Sequence, residues 1–296
     1  SSDLRHVRNV YKYHKTISSI LNRKILHSSK KLKRTKKMSK VIVITSGKGG
    51  VGKTTSAVNI GAAINYFGGD VLVIDGNLST PNVGIHLGSP EVPINLNHIL
   101  LKKADPIEGV YEHESGLKII PSSLSIKELE KLKPEKLKEF KNEFKKISEY
   151  VIVDSAAGLG GEAMAAIKMA DELILVTNPE MPAITDALKA IKMAEKEKIP
   201  VMGVIMTKVK KNKIEMQPET VKEMLEVPIL GMVPEDISIS EALNTKDAVI
   251  HTHPKSKAAR AYKEIAAQLL GITYDSNLDK ETIWEKIKKV FGKKEY

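Results

Sequence analysis

Two lysines, Lys48 and Lys53, share the glycine-rich stretch SGKGGVGKTT at residues 46–55. Gly47, Lys48, Gly49, Gly50, Val51, Gly52, Lys53 and Thr54 fit the pattern G-x-x-x-x-G-K-[ST], and Thr55 follows directly. The pattern sits between an apolar run and a helical stretch, the context in which such a loop cradles phosphate. Its glycines let backbone N–H groups curl around a β-phosphate, and the helix behind it adds its positive dipole end. Lys53 is then placed for the β- and γ-phosphates, and the Thr54 hydroxyl for Mg²⁺. Two carboxylates at strand ends extend the set. Asp75 closes VLVID, and Asp154 closes YVIVD with Gly158 four residues on. Asp154, with Asp75 beside it in the scheme, is the natural carboxylate to hold Mg²⁺ directly or through water. The Gly158 N–H is placed to sense a γ-phosphate. This is chemistry for a Mg²⁺-bound nucleoside triphosphate, and it needs only one lysine. Lys48 is surplus.

The elements that must hold these groups alternate in type. Strands are expected at Val41–Thr45, Val71–Asp75, Leu117–Ile120, Tyr150–Asp154, Glu172–Thr177, Val201–Thr207 and Pro228–Met232. Helices are expected at Thr54–Tyr66, Ile126–Ile147, Met181–Glu197, Pro218–Leu225 and Lys255–Leu270. Near-continuous apolar strands such as VIVIT and LILVT suit a sheet buried on both faces. Strand–helix alternation implies an α/β fold with a doubly wound, mostly parallel sheet of about seven or eight strands. In such sheets ligands bind at the carboxyl ends of the strands.

The chain has 296 residues and a net charge of +11, which suggests nucleic acid until the charge is located. Twelve Lys/Arg and a single acid fall in residues 1–37, so that arm alone carries +11 and the body is neutral. Nucleic-acid binding is therefore unexpected for the body and open only to the arm. Met38 runs straight into the first strand and reads as a natural start. Residues 1–37 are expected to be a disordered or non-native basic extension. The catalytic domain then covers 38–272, and the polar stretch 273–280 reads as a linker. In residues 281–296, Ile283, Trp284, Ile287, Val290 and Phe291 form one apolar stripe of a helix whose other surface is lysine-rich. That is the composition of a helix lying on an anionic membrane surface. No run is long and apolar enough to span a bilayer. There are no cysteines, which excludes disulfides and thiolate-held zinc or iron–sulfur clusters.

SGKGGVGKTT resembles the deviant phosphate loop of the MinD/ParA family of P-loop ATPases. DGNLSTPNVGIHLG (75–88), VDSAAG (153–158), TNPE (177–180) and VPED (233–236) extend the likeness over the body, most of all to the archaeal MinD branch. The resemblance accounts for Lys48. In that family the early lysine crosses a dimer interface to the partner's nucleotide, so nucleotide state is coupled to dimerisation. It also implies ATP and Mg²⁺ as cofactors and an adenine site at Thr207, Pro234 and Asp236. It further implies an ATP-driven homodimer in the cytoplasm, reversibly attached to the inner face of the cell membrane. Such a switch positions other proteins, at a division site or in surface structures, with a protein activator that the sequence does not name. One position departs from the pattern. Where the family usually has a second acid two residues after Asp75, this chain has Asn77, which can orient water but cannot take its proton. Hydrolysis is therefore expected to be slow without a partner. Two alternatives stay open: a ParA-like ATPase in DNA partitioning, and a slowly hydrolysing, nucleotide-locked scaffold.

Overall fold

The computed structural model describes residues 39–89, 91–210, 215–276 and 279. The basic extension and the amphipathic stripe at 283–291 lie outside the described residues.

Among the described residues eight strands form one sheet: β1 Lys40–Ser46, β2 Val71–Gly76, β3 Tyr111–Glu112, β4 Lys118–Ile120, β5 Tyr150–Ala157, β6 Glu172–Thr177, β7 Val201–Val209 and β8 Ile229–Pro234. Their order is β3-β4-β2-β5-β1-β6-β7-β8, and every pairing is parallel except β3 with β4. The helices that bear on the site or the core are α1 Lys53–Tyr66, α2 Val83–His86, α3 Gly161–Ile167, α4 Met181–Lys196, α5 Pro218–Leu225, α6 Ile237–Asn244 and α7 Lys257–Leu270.

Alternation along each strand divides the core in two. Val41, Val43, Leu72, Ile74, Val151 and Val153 pack under α4 and Phe144 on one face. Ile42, Ile44, Val73, Ile152 and Ile174 pack under α1 and α7 on the other. Full burial of each Ile or Leu stabilises the fold by about 1.5–3 kcal/mol. The chain leaves β1 for one side of the sheet and later fills the other side from β6 onward. β1 is thus the point where strand order reverses, and the crevice at its carboxyl end is where ligands bind in such sheets.

The seven expected strands are present, within three residues at each end. The structure adds β3, a two-residue antiparallel edge too short to leave a pattern. The long helix expected at Ile126–Ile147 is not continuous. It is a turn of helix at Ile126–Leu129, a 3₁₀ segment at Pro134–Phe140 and a helix at Lys141–Ile147. Pro134 has no N–H to continue a helix and suits only a first turn. The polar stretch at 273–280 is not wholly detached either. The Asp279 carboxylate accepts from Lys263 Nζ at 2.7 Å and from the Tyr274 hydroxyl at 2.6 Å. Lys263, on α7, is 1% exposed, so this contact satisfies a buried charge.

Candidate active site

The phosphate loop runs from the end of β1 into α1. Gly52 caps α1 with φ 88°, a left-handed conformation that a side chain would strain, and no side chain caps the helix. The first-turn N–H groups therefore lack an intrahelical partner and face the crevice end of the sheet. Gly47 is required for a different reason: a Cβ there would collide with the backbone of Asp186 on α4. The loop opens on a cavity of about 390 Å³ lined by Gly50, Lys53, Thr54, Asn77, His86 and Lys208 among others. A larger cavity of about 1080 Å³ runs along β8 between α5 and α7, away from these groups.

Lys53 is buried, and its Nζ donates to Asp154 Oδ1 at 2.8 Å. The Thr54 hydroxyl donates to Asp154 Oδ2 at 2.6 Å. Parallel pairing of β2 and β5 sets Asp75 directly beside Asp154, and both are fully buried. Asp75 Oδ2 accepts the N–H groups of Asn82 and Val83 at 2.8 and 2.9 Å, and Oδ1 accepts that of Asn77 at 3.3 Å. Burial, with the Asp154 carboxylate next to it, pushes the Asp75 carboxyl up to about 8.

The sign of the resulting pH effect follows. A carboxyl whose folded-state pKa lies above its unfolded value of 3.8 binds more protons when folded. Its stabilisation is complete below that value and is lost as pH rises toward 8. Ligand-free protein should therefore lose stability from pH 5 to pH 8, by up to about 1.4 kcal/mol per pH unit. Asp75→Asn should flatten that slope in urea denaturation. An unchanged slope would mean that Asp75 is ionised throughout.

The other expected site residues fall into place unevenly. Lys48 is exposed, and its carbonyl accepts from Ser46 Oγ at 3.0 Å. Gly158 has φ 82°, and its N–H is already donated to the Ser46 carbonyl at 2.8 Å. Asn77 is buried, with Nδ2 donating to the Thr80 carbonyl at 2.6 Å and Oδ1 accepting the Thr80 hydroxyl at 3.1 Å. Of the adenine group, the Thr207 hydroxyl faces the carbonyls of Val51 and Thr177. Asp236 caps α6 through Ser238 N–H and also accepts the Ala258 N–H at the start of α7. Pro234 lines the β8 cavity rather than the loop cavity.

Sequence reasoning passed over His86. Its Nδ1 lies 2.9 Å from the Asn82 carbonyl, which only a protonated nitrogen can approach, so Nε2 faces the Thr55 hydroxyl at 3.5 Å as an acceptor. Burial holds its pKa below the usual histidine value. Nothing in its local sequence marked it, because only the fold of α2 against α1 brings it to the loop.

These groups fit a Mg²⁺-bound triphosphate. Unclaimed loop amides and a buried ammonium suit the phosphates, and a hydroxyl beside two carboxylates offers the hard oxygen donors that Mg²⁺ takes. A sequence profile of the ParA family, described as the NUBPL iron-transfer P-loop NTPase, matches residues 37–270. An uncharacterized ATP-binding protein of Methanocaldococcus jannaschii is 37% identical over 260 residues, covering 87% of this chain and 98% of that protein. The chain belongs to the ParA/MinD family of P-loop ATPases.

The septum site-determining protein MinD of Pyrococcus horikoshii, solved with Mg-ADP, superposes on this ParA/MinD ATPase with a TM-score of 0.75 at 32% identity. That match covers 78% of this chain and 96% of the MinD chain. MinD from the MinC:MinD cell division complex of Aquifex aeolicus gives 0.72 at 29% identity, covering 80% and 98%. The iron-transfer part of the profile's description finds no thiolate here to hold iron or a cluster, since the sequence has no cysteine.

Proposed function

We propose that this ATPase is an ATP-dependent dimerising switch that associates reversibly with a membrane surface and positions other proteins there. The observation that carries the reading is the division of labour between the two lysines. Lys53 is buried and paired with Asp154 at the helix end of the loop, and in this reading it is the in-cis phosphate cation. Lys48 projects from the same loop into solvent. An exposed ammonium on a phosphate loop has work only when a second subunit brings another nucleotide against it. A charge supplied in trans makes dimerisation and nucleotide state one equilibrium. A MinD relative solved with Mg-ADP supports the nucleotide part of this reading, and a MinC:MinD complex supports a protein partner.

In this reading Lys53 and the loop amides hold the phosphates, Thr54, Asp75 and Asp154 hold Mg²⁺, and Asn77 lies in the water-handling loop. The metal would neutralise charge on the β- and γ-oxygens. Residues 281–296, with Ile283, Trp284, Ile287, Val290 and Phe291 as the apolar stripe, are the membrane contact. One short helix binds weakly, so a dimer presenting two gains avidity. Residues 1–37 are a separate basic extension. Among the described residues no helix is long and apolar enough to cross a membrane.

The test is size-exclusion and vesicle co-sedimentation with a non-hydrolysable ATP analogue, using vesicles rich in anionic phospholipid. Lys48→Ala should bind the analogue yet remain monomeric and unsedimented. Deleting 281–296, which spares the Asp279 contact with Lys263, should dimerise normally and fail to sediment. Normal dimerisation of Lys48→Ala would remove the trans-lysine account. Sedimentation of the truncated chain would remove the membrane assignment of the tail.

A further inference from the structure

The next-to-last residue of β7 is a lysine in an unfavourable backbone conformation. Lys208 has φ 54°, a left-handed geometry that strains a residue with a side chain. Its Nζ donates to the Gly50 carbonyl at 2.7 Å. The residue before it, Thr207, is buried and hydrogen-bonds the next carbonyl along the loop, that of Val51. At the start of the loop, Ser46 Oγ holds the Lys48 carbonyl. Three of the loop's carbonyls are thus fixed by side chains, two of them from the end of one strand.

Peptide planarity turns this into a statement about the amides. In a trans peptide the C=O of one residue and the N–H of the next point in opposite directions, and the unit rotates as a rigid body. Holding the carbonyls of Gly50 and Val51 against β7 therefore directs the N–H groups of Val51 and Gly52 away from it. Holding that of Lys48 does the same for Gly49. Among the described residues no acceptor takes the N–H of Gly49, Val51 or Gly52. Unpaired donors held in one loop, beside an uncapped helix start and a buried ammonium, are aimed at an anion.

We propose that Thr207 and Lys208 are positioning residues of the phosphate loop, which by holding the carbonyls of Val51 and Gly50 fix the amides of Gly52 and Val51 toward the phosphates. The inference rests on reading the loop as the phosphate cradle. It moves Thr207 from a contact to the base to a clamp on the loop, and it gives the strain at Lys208 a use. The loop is set before the nucleotide arrives, so binding need not bear the cost of ordering it.

The experiment compares Mg²⁺–ATP with Mg²⁺–tripolyphosphate, which has the phosphates and no base, by calorimetric titration. Lys208→Met keeps the stem and removes the donor, Lys208→Arg restores a donor, and Thr207→Val removes the hydroxyl at nearly constant shape. Lys208→Met and Thr207→Val should each weaken both ligands by the same factor, about tenfold, as loss of a charged or buried hydrogen bond predicts. Lys208→Arg should recover most of that loss. A loss confined to ATP would show that these residues read the base, and unchanged binding of both would show that the loop needs no clamp. Either result overturns the proposal. Lys208 is exposed, so its variants decide the matter even if Thr207→Val fails to fold. Wild-type protein that binds ATP but not tripolyphosphate would instead overturn the reading of the loop itself.

Discussion

Lys53→Ala should bind ATP at least about a hundredfold more weakly than wild type, and the ligand-free protein should be less stable. The first effect follows from the loss of the buried cation at the helix end of the phosphate loop. Hydrogen bonds from a charged donor contribute about 1.5–3 kcal/mol each, and a lysine bridging β- and γ-phosphates makes two. The second follows from what Lys53 does before nucleotide arrives. Its partner Asp154 is fully buried beside Asp75, so removing the ammonium leaves two adjacent carboxyls without a counter-charge. Breaking one side of a buried ion pair costs about 3–5 kcal/mol. The two effects separate in Lys53→Ala/Asp154→Asn. That double variant should regain stability, because the orphaned carboxylate is gone, but should not regain ATP. Calorimetric titration and urea denaturation at pH 7 read both. An ATP affinity within threefold of wild type would show that Lys53 is not the phosphate cation.

The parts of this site that were legible in sequence are those fixed by local geometry. A glycine-rich loop between a β-branched run and a helix has few ways to fold, and Asp75 and Asp154 could be placed because each ends an apolar strand. Long strands were legible for the same reason: a sheet buried on both faces demands unbroken apolar runs. What escaped was set by partners distant in sequence. The resemblance implies an adenine contact for Thr207 and Asp236, and no sequence pattern shows that their oxygens also hold a loop and two helix starts. Lys263 looks like any surface lysine of an amphipathic helix until Asp279 folds back onto it. His86 and Lys208 reach the loop only because α2 and β7 end beside it. The helix expected at 126–147 is interrupted before Pro134, whose missing N–H cannot continue a helix.

Asn77→Asp should raise single-turnover hydrolysis by roughly tenfold, and it should do so at the expense of the resting loop. A carboxylate at this point can orient the attacking water and take its proton, which the amide cannot. General-base groups contribute about 10²–10⁴-fold where proton transfer is limiting, but phosphoryl transfer through a loose transition state depends less on a base, so the low end applies. The structure shows what opposes the gain. Asn77 Nδ2 donates to the Thr80 carbonyl, and its oxygen takes the Thr80 hydroxyl, so the side chain ties the loop from Asp75 to Asn82 to itself. Aspartate has no proton to give that carbonyl at neutral pH and brings a third carboxyl toward Asp75 and Asp154. Ligand-free Asn77→Asp should accordingly melt lower than wild type. Asn77→Ala separates the two roles. It also unties the loop, but it offers no base, so it should melt lower without hydrolysing faster. The rates are to be compared at equal occupancy of the ATP-bound state. If aspartate and asparagine hydrolyse alike while both variants lose stability, then position 77 is a fastener of the loop and the attacking water is handled elsewhere.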